Sequence, residues 1–422
     1  MDLKALVNRG KTRFRYWLVS DMRIKKVIPA RIRKKFSGKV IGALETHTGV
    51  PAPYEPGKYP KGINLYGFFK AENGLAQGVK SYAGALEKSG IPHVLINTDF
   101  LDWLPQNDTA FDSRLARDNR YAANVVHVNP DQWQEACGMF PRSHFDGHYN
   151  IGVWLWELEK FPKAWIPMID YVDEIWTPSE FIAGAVRKAT EKPVTVIPYG
   201  IETPYEEGLE RADFGLEEGE FLVLMMYDSN SYASRKNPGA AIEAFRAAFG
   251  EKPEKAKLVI KISNPKDEDI AYVKERLAPG SYALMTERMD RKRMNSLIRL
   301  CDGYLSLHRS AGFGLVLAEA MSLGTAAVAT NYSANTEFMA EEAACMVGCR
   351  MVKVDGRYQH DEDGTQVWAE PDVKEAAAYL KRLRDDPGYR REKAEAGKKH
   401  IREKLSPERC AEAIRKRMGE IM

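Results

Sequence analysis

The residues best suited to chemistry fall into two groups in the second half of a 422-residue chain. The first is Ser310-Ala311-Gly312-Phe313-Gly314-Leu315, with Glu319 four residues on. The apolar run Gly303–Leu307 before it reads as a buried strand. Gly312 and Gly314 let the backbone turn tightly and come close to something. Leu315–Leu323 has helical spacing and meets Gly324, a natural helix stop. Strand, glycine turn and helix leave free backbone N–H groups at the helix start, which suits an anion such as a diphosphate. Glu319, about one and a half turns in, is within reach of a ligand lying across that start. The second group is Arg235-Lys236, in the stretch Asp228–Pro238 between a strand ending at Tyr227 and helical spacing from Ala241 to Phe249. Arg makes paired hydrogen bonds to phosphate and Lys supplies a compact charge. Each group also has a plain reading, as a tight strand-to-helix turn and as a solvated surface pair.

The elements that must position these residues alternate along the chain. Strands are expected at Ile63–Phe68, His93–Thr98, Asn124–Asn129, Ile151–Trp156, Glu174–Thr177 and Val194–Pro198, with helical spacing between them at Gly78–Lys88 and Glu180–Thr190. A second set is expected at Phe221–Tyr227, Lys257–Ser263, Tyr282–Thr286, Gly303–Leu307, Ala326–Thr330 and Ala343–Val347. Such alternation implies an α/β fold of parallel sheets covered by helices, with ligands at the carboxyl ends of the strands. Ser406-Pro407-Glu408 is an N-cap, a Pro at the first helical position and an early acid. Cys410, Ile414, Met418 and Ile421 make one apolar face on the helix that follows.

The whole string around the glycine turn resembles the donor-binding signature of retaining GT-B glycosyltransferases, the group related to sucrose and glycogen synthases. Ser310, Gly312, Phe313, Gly314, Glu319, Ala320, Met321, Gly324, Val328, Ala329 and Thr330 match it. Trp156-Glu157-Leu158-Glu159 and Asp173–Ser179 resemble a bacterial surface-polysaccharide subgroup. Two positions depart: Ala326 replaces a Pro, and Ala311 stands where the family has its first glutamate. The resemblance implies two Rossmann-like domains facing a cleft, with the last helix crossing back to the first. The expected divisions are a basic extension and Pro-rich linker (1–61), an acceptor domain (62–202), a donor domain (203–405) and the crossover helix (406–422).

The resemblance also implies roles. Lys236 falls at a lysine that holds the nucleotide diphosphate. The companion Arg usually lies several residues earlier, where this chain has Ser231, leaving Arg235 as the substitute. The amides of Phe313, Gly314 and Leu315 would meet phosphate, and Ser310 and Gly312 belong to the same donor-binding turn. Glu319 would accept from both ribose hydroxyls. Main chain near Thr286-Glu287-Arg288 would meet the nucleobase. In the first domain, Gly74, within the strand, glycine-bearing loop and helix start of Gly62–Gly78, would approach donor phosphate and acceptor, with Lys80 adding charge at the cleft edge. Glu157 stands where relatives place a donor-sugar histidine and is a candidate sugar or acceptor contact. Asn331–Glu337 is a further loop facing the cleft. Neither a cofactor nor a metal is expected. Asp361-Glu362-Asp363 formally spells a metal motif but reads as a solvated loop. His127 reads as a core or edge histidine, and Trp154 and Trp156 as core.

The function expected is transfer of a sugar from GDP-mannose or a UDP-sugar to a glycan or lipid-linked acceptor. Ala311 leaves three readings: an inactivated variant, favoured because its surroundings are intact, an enzyme compensating from elsewhere, or a non-enzymatic donor-binding subunit. A nucleotide-sugar 2-epimerase is a weaker alternative, since it needs acid–base groups around the sugar rather than this signature.

Composition adds bounds. Hydrophobic content of 44% with a net charge of +3 singles out no partner by bulk electrostatics. The five scattered cysteines argue for a reducing compartment, hence the cytoplasm, with Cys345 and Cys349 expected in the core. Residues 1–40 carry thirteen Lys or Arg against two Asp, interleaved with aromatic and aliphatic residues. Such a segment either lies on an anionic membrane face or packs as a solvated helical extension. No nucleic-acid motif accompanies the charge.

Overall fold

The computed structural model describes residues 49–100, 106–355, 358 and 364–422. The basic segment 1–40 and the acidic triplet 361–363 lie outside the described residues. The first lobe holds β1 (Ile63–Gly67), α1 (Gly74–Ser89), β2 (His93–Asn97), β3 (Ala123–Val126), α2 (Trp133–Cys137), β4 (Tyr149–Val153), β5 (Glu174–Thr177), α3 (Glu180–Arg187) and β6 (Val194–Val196). Its six strands are parallel, in the order β2-β1-β3-β4-β5-β6. The second lobe holds β7 (Phe221–Asp228), α4 (Ala233–Lys236), α5 (Pro238–Phe249), β8 (Ala256–Ser263), α6 (Asp267–Arg276), β9 (Tyr282–Met285), α7 (Arg291–Leu300), β10 (Gly303–Ser306), α8 (Leu315–Leu323), β11 (Ala326–Thr330) and β12 (Cys345–Val347). It is again a parallel six-stranded sheet, in the order β12-β11-β10-β7-β8-β9.

Most of these strands are buried on both faces, and their sequences are near-continuous apolar runs. The expected strand sites are all occupied, several one to three residues shorter at the carboxyl end. Among those trimmed residues, Trp156 meets Gly312 of the second lobe. At the opposite end of the first sheet, Asn64, Asn124 and Asn150 stand side by side in register on β1, β3 and β4. Their side chains chain together: Asn64 Nδ2 donates to Asn124 Oδ1 at 2.9 Å and Asn124 Nδ2 to Asn150 Oδ1 at 2.8 Å. A satisfied buried ladder of this kind resists strand slippage.

An antiparallel hairpin, β13 (Cys349–Lys353) with β14 (Val367–Pro371), follows the second sheet and was not expected from the sequence. It places Cys349 at the surface, which corrects the expectation of a core cysteine there; Cys345, on β12, is buried. The chain closes with α9 (Val373–Asp385), α10 (Pro387–Lys404) and α11 (Pro407–Ile421).

Helix α11 returns to the first lobe. Ser406 caps it, its side chain accepting from the Arg409 amide, and Cys410, Ile414 and Met418 are buried. Its anchor is Arg417, whose Nε and Nη2 donate to Glu174 Oε1 and Oε2, each at 2.8 Å. Glu174 is fully buried on β5 and also accepts from Tyr149, Trp176 and Thr195. Removing one partner of a buried pair strands the other charge. Arg417→Met is therefore expected to cost about 3 kcal/mol, seen as a lower urea midpoint by circular dichroism. An unchanged midpoint would mean that apolar packing alone holds the helix.

Candidate functional site between the lobes

The glycine turn forms as the spacing requires. Gly314 has φ +93° and is the N-cap of α8, a conformation that L side chains rarely adopt. No side chain caps the helix, and the amides of Phe313 to Leu317 have no acceptor among the described residues. A free helix start of this kind attracts anions. Gly312 is needed for a different reason. A β-carbon there would lie 2.7 Å from the Trp156 carbonyl oxygen of the first lobe, and the Gly312 carbonyl accepts from Ser179 Oγ at 2.7 Å. What the backbone approaches at residue 312 is the other lobe.

Ser310 is fully buried. Its hydroxyl donates to the Glu157 carbonyl, and its own carbonyl accepts from Arg235 Nη1 at 3.0 Å. Ala311 is 6% exposed; its amide donates to Ser333 Oγ at 2.9 Å and its carbonyl accepts from Ala334. Phe313 packs edge-on to Tyr199, with ring centroids 5.0 Å apart, and against Phe338.

The two adjacent cations lie in the one-turn helix α4, which Asn237 ends in a left-handed conformation before Pro238 opens α5. They face different surroundings. Arg235 is buried, and its Nη2 lies 3.3 Å from Glu157 Oε1 across the lobe boundary. The other oxygen, Glu157 Oε2, accepts from Tyr358 at 3.1 Å. Lys236 is half-buried and makes no ion pair among the described residues. Burial and the neighbouring Arg235 charge pull its ammonium down to about 8, against the opposing pull of Glu157 and Asp228. His308, one strand away on the end of β10, is buried and held well below the ordinary histidine range, to about 4, by burial and by the Lys236 charge. It is a neutral ring, with Nε2 3.0 Å from Asn335 Oδ1.

Glu319 is 1% exposed. One oxygen, Oε1, is paired with Arg291; the other, Oε2, is buried with no partner. Thr286 and Arg288 follow β9. Arg288 reaches across to Glu72 at 2.5 Å, tying its loop to the one that leads into Gly74. Gly74 is the exposed first residue of α1, with open space beside it. Lys80 is committed elsewhere, to Asp108 at 2.5 Å and to the Ala71 carbonyl. The loop after β11 does face the first lobe: Glu337 accepts from the amides of Glu180 and Phe181 at 2.9 and 2.8 Å, capping α3 from the opposite lobe. His127 is buried, 2.8 Å from the Tyr199 hydroxyl, and Trp154 and Trp156 are core.

Among the candidates, Glu157, Arg235 and Ser310 meet directly, and the Gly74 and Arg288 loops are joined through Glu72. The sequence reading missed Arg291, Tyr358 and Glu72. The Asp290-Arg291 pair marks a helix start, but nothing in it points to a glutamate on another helix. A cavity of about 370 Å³ also opens between the lobes, beside the connecting segments; of the candidates, Phe313 lines it together with Ala334 and Glu337 of the loop after β11.

Residues 207–400 match the family described as glycosyl transferases group 1. No curated protein sequence matches the chain. Solved structures resemble it at low identity. Sucrose-phosphate synthase from Thermosynechococcus elongatus is 15% identical, with a TM-score of 0.61 over 86% of this chain and 98% of that one. HepE from Anabaena, in complex with UDP and glucose, is 13% identical, with a TM-score of 0.60 over 85% and 100%. A TarM mutant from S. aureus, in complex with fondaparinux, alpha-GlcNAc-glycerol and UDP, is 12% identical, with a TM-score of 0.52 over 70% of this chain but only 55% of its own length.

Because the Lys236 ammonium loses its proton above about pH 8, affinity for a nucleoside diphosphate should fall as pH rises through that value, and Lys236→Arg should abolish this fall. Calorimetric titration across pH 6.5–9.5 checks it, at about tenfold per unit above the titration point. Gly312→Ala forces a methyl against the Trp156 carbonyl, so the lobes must separate; faster limited proteolysis and a larger radius of gyration by X-ray scattering are expected. The chain thus has the two-lobed GT-B fold, and residues 207–400 of it match the model of the glycosyl transferases group 1 family.

Proposed function

We propose that the protein is a retaining glycosyltransferase, moving a sugar from GDP-mannose or a UDP-sugar to a glycan or lipid-linked acceptor in cell-surface polysaccharide synthesis. The observation that carries this is one helix start: open amides at its tip, the unpaired Lys236 as the nearby cation, and Glu319 with one buried oxygen lacking a partner. Diphosphate and ribose diol supply what those groups lack. The group 1 match and the UDP and glucose held by HepE support the same reading.

In this reading Lys236 and the amides of Phe313 to Leu315 bind the diphosphate and stabilise the charge that develops as the sugar–phosphate bond breaks. The acceptor hydroxyl bonds to the same face of the anomeric carbon, and its proton passes to the departing phosphate oxygen. Arg235 acts from behind, holding Ser310 and Glu157 in place. Glu157, partly exposed and oriented by Arg235 and Tyr358, takes the sugar or acceptor hydroxyls. Thr286 and Arg288 lie on the nucleobase side, and Gly74 on the side where donor and acceptor meet. Residues 1–40 would place the enzyme on the inner face of a membrane; co-sedimentation with anionic vesicles, lost on deleting them, tests this. No helix among the described residues is long and apolar enough to cross a membrane.

Ala311 favours a second reading, a donor-binding subunit without turnover. Thermal-shift screening with nucleoside diphosphates and their sugars comes first, since a ligand of the folded state raises its apparent stability. On the donor identified, Ala311→Glu should then raise turnover by about 10²–10³. Binding without turnover in both forms would establish the subunit reading instead.

A further inference from the structure

Arg291 has no place in the signature that identified the turn, yet it is the group that touches Glu319. It is the first residue of α7, behind the Asp290 N-cap, and its guanidinium is paired with Glu319 Oε1. Burial pulls that guanidinium down to about 10. Arg carries five N–H donors in a rigid fork; Glu319 takes up part of that capacity, and no other partner of Arg291 is found among the described residues. A nearly fully buried carboxylate with one oxygen held and the other bare has been built to leave that oxygen for something else.

We infer that Arg291 is a positioning residue for the donor ribose: it grips one oxygen of Glu319 so that Oε2 stays fixed and free to accept from the ribose diol. The inference rests on the donor reading above and deepens it. An ionised carboxylate accepts from two hydroxyls at once, whereas a protonated one gives up acceptor capacity. A cation beside a buried carboxylate favours the ionised form. The pair therefore makes the site selective for ribonucleotides over sugars without adjacent hydroxyls, a preference that phosphate contacts alone cannot provide.

The test is calorimetric titration of the full chain with UDP and GDP and with their 2′,3′-dideoxy counterparts. The wild type should prefer the ribonucleotide by about 10- to 100-fold, the size of one or two hydrogen bonds to a charged group. Arg291→Gln and Glu319→Gln should each collapse that ratio towards one while leaving dideoxy affinity nearly unchanged, and the double variant should lose no more than either single one. Arg291→Lys, which keeps the charge but not the fork, should fall between; it also decides the matter if Arg291→Gln does not fold, since a wild-type ratio there overturns the inference. Full ribose preference in Arg291→Gln overturns it, as does an equal loss for both nucleotides, which would put Arg291 on phosphate or base. If wild type binds neither diphosphate, the donor reading fails and takes this inference with it. If it binds but shows no ribose preference, only this inference fails.

Discussion

The two lobes meet at main-chain distance, and the contact at Gly312 sets everything around it. Any side chain at that position would overlap the Trp156 carbonyl. The approach lets Ser310 reach the Glu157 carbonyl and Ser179 reach the Gly312 carbonyl, so three consecutive residues of the second lobe are bonded to the first or boxed in beside it. The glycine turn starts within that clamp, at Gly312, and is completed by Gly314. Its direction, and hence the direction in which α8 presents its amides, is inherited from the lobe contact. Position 311 lies inside the clamp with both main-chain groups engaged.

Charge is divided along the same boundary. Arg235 and Lys236 are neighbours in sequence but not in role. The guanidinium is neutralised by Glu157 and bonded to the Ser310 carbonyl, which a planar fork can do at once. The ammonium beside it makes no ion pair among the described residues, and Glu157 and Asp228 act on it only at longer range. Arg235 thereby depresses Lys236, through its charge and through the burial it helps impose. The outcome is a cleft with one open cation, one neutral imidazole at His308 and a helix terminus, all favouring an anion between them.

Much of this architecture was legible from residue order. Parallel strands covered on both faces must be apolar throughout, so runs such as Phe221–Tyr227 announce themselves. Gly324 and Ser406-Pro407 mark helix ends by local backbone chemistry, which needs no knowledge of distant contacts. The turn at 312–314 was legible for the same reason, although the meaning of Gly312 was not: a glycine that admits a ligand and one that admits a neighbouring lobe look alike. The hairpin at 349–353 and 367–371 escaped because β13 is mostly exposed and carries no continuous apolar run. Tyr358, a lone aromatic in a polar stretch, gave no hint that it would reach Glu157. Arg291 and Glu319 are 28 residues apart on separate helices, and only folding makes them a pair.

The return of α11 has a topological result. The chain leaves the first lobe at Ile201 and re-enters at Leu405, and these two crossings are bonded to each other, Ile201 amide to Leu405 carbonyl at 2.7 Å. The whole second lobe is an insertion within the first, joined by a two-stranded stalk. Such an insert can swivel on its stalk but not drift away, and it could be exchanged for the equivalent lobe of another chain by cutting at two points a hydrogen bond apart.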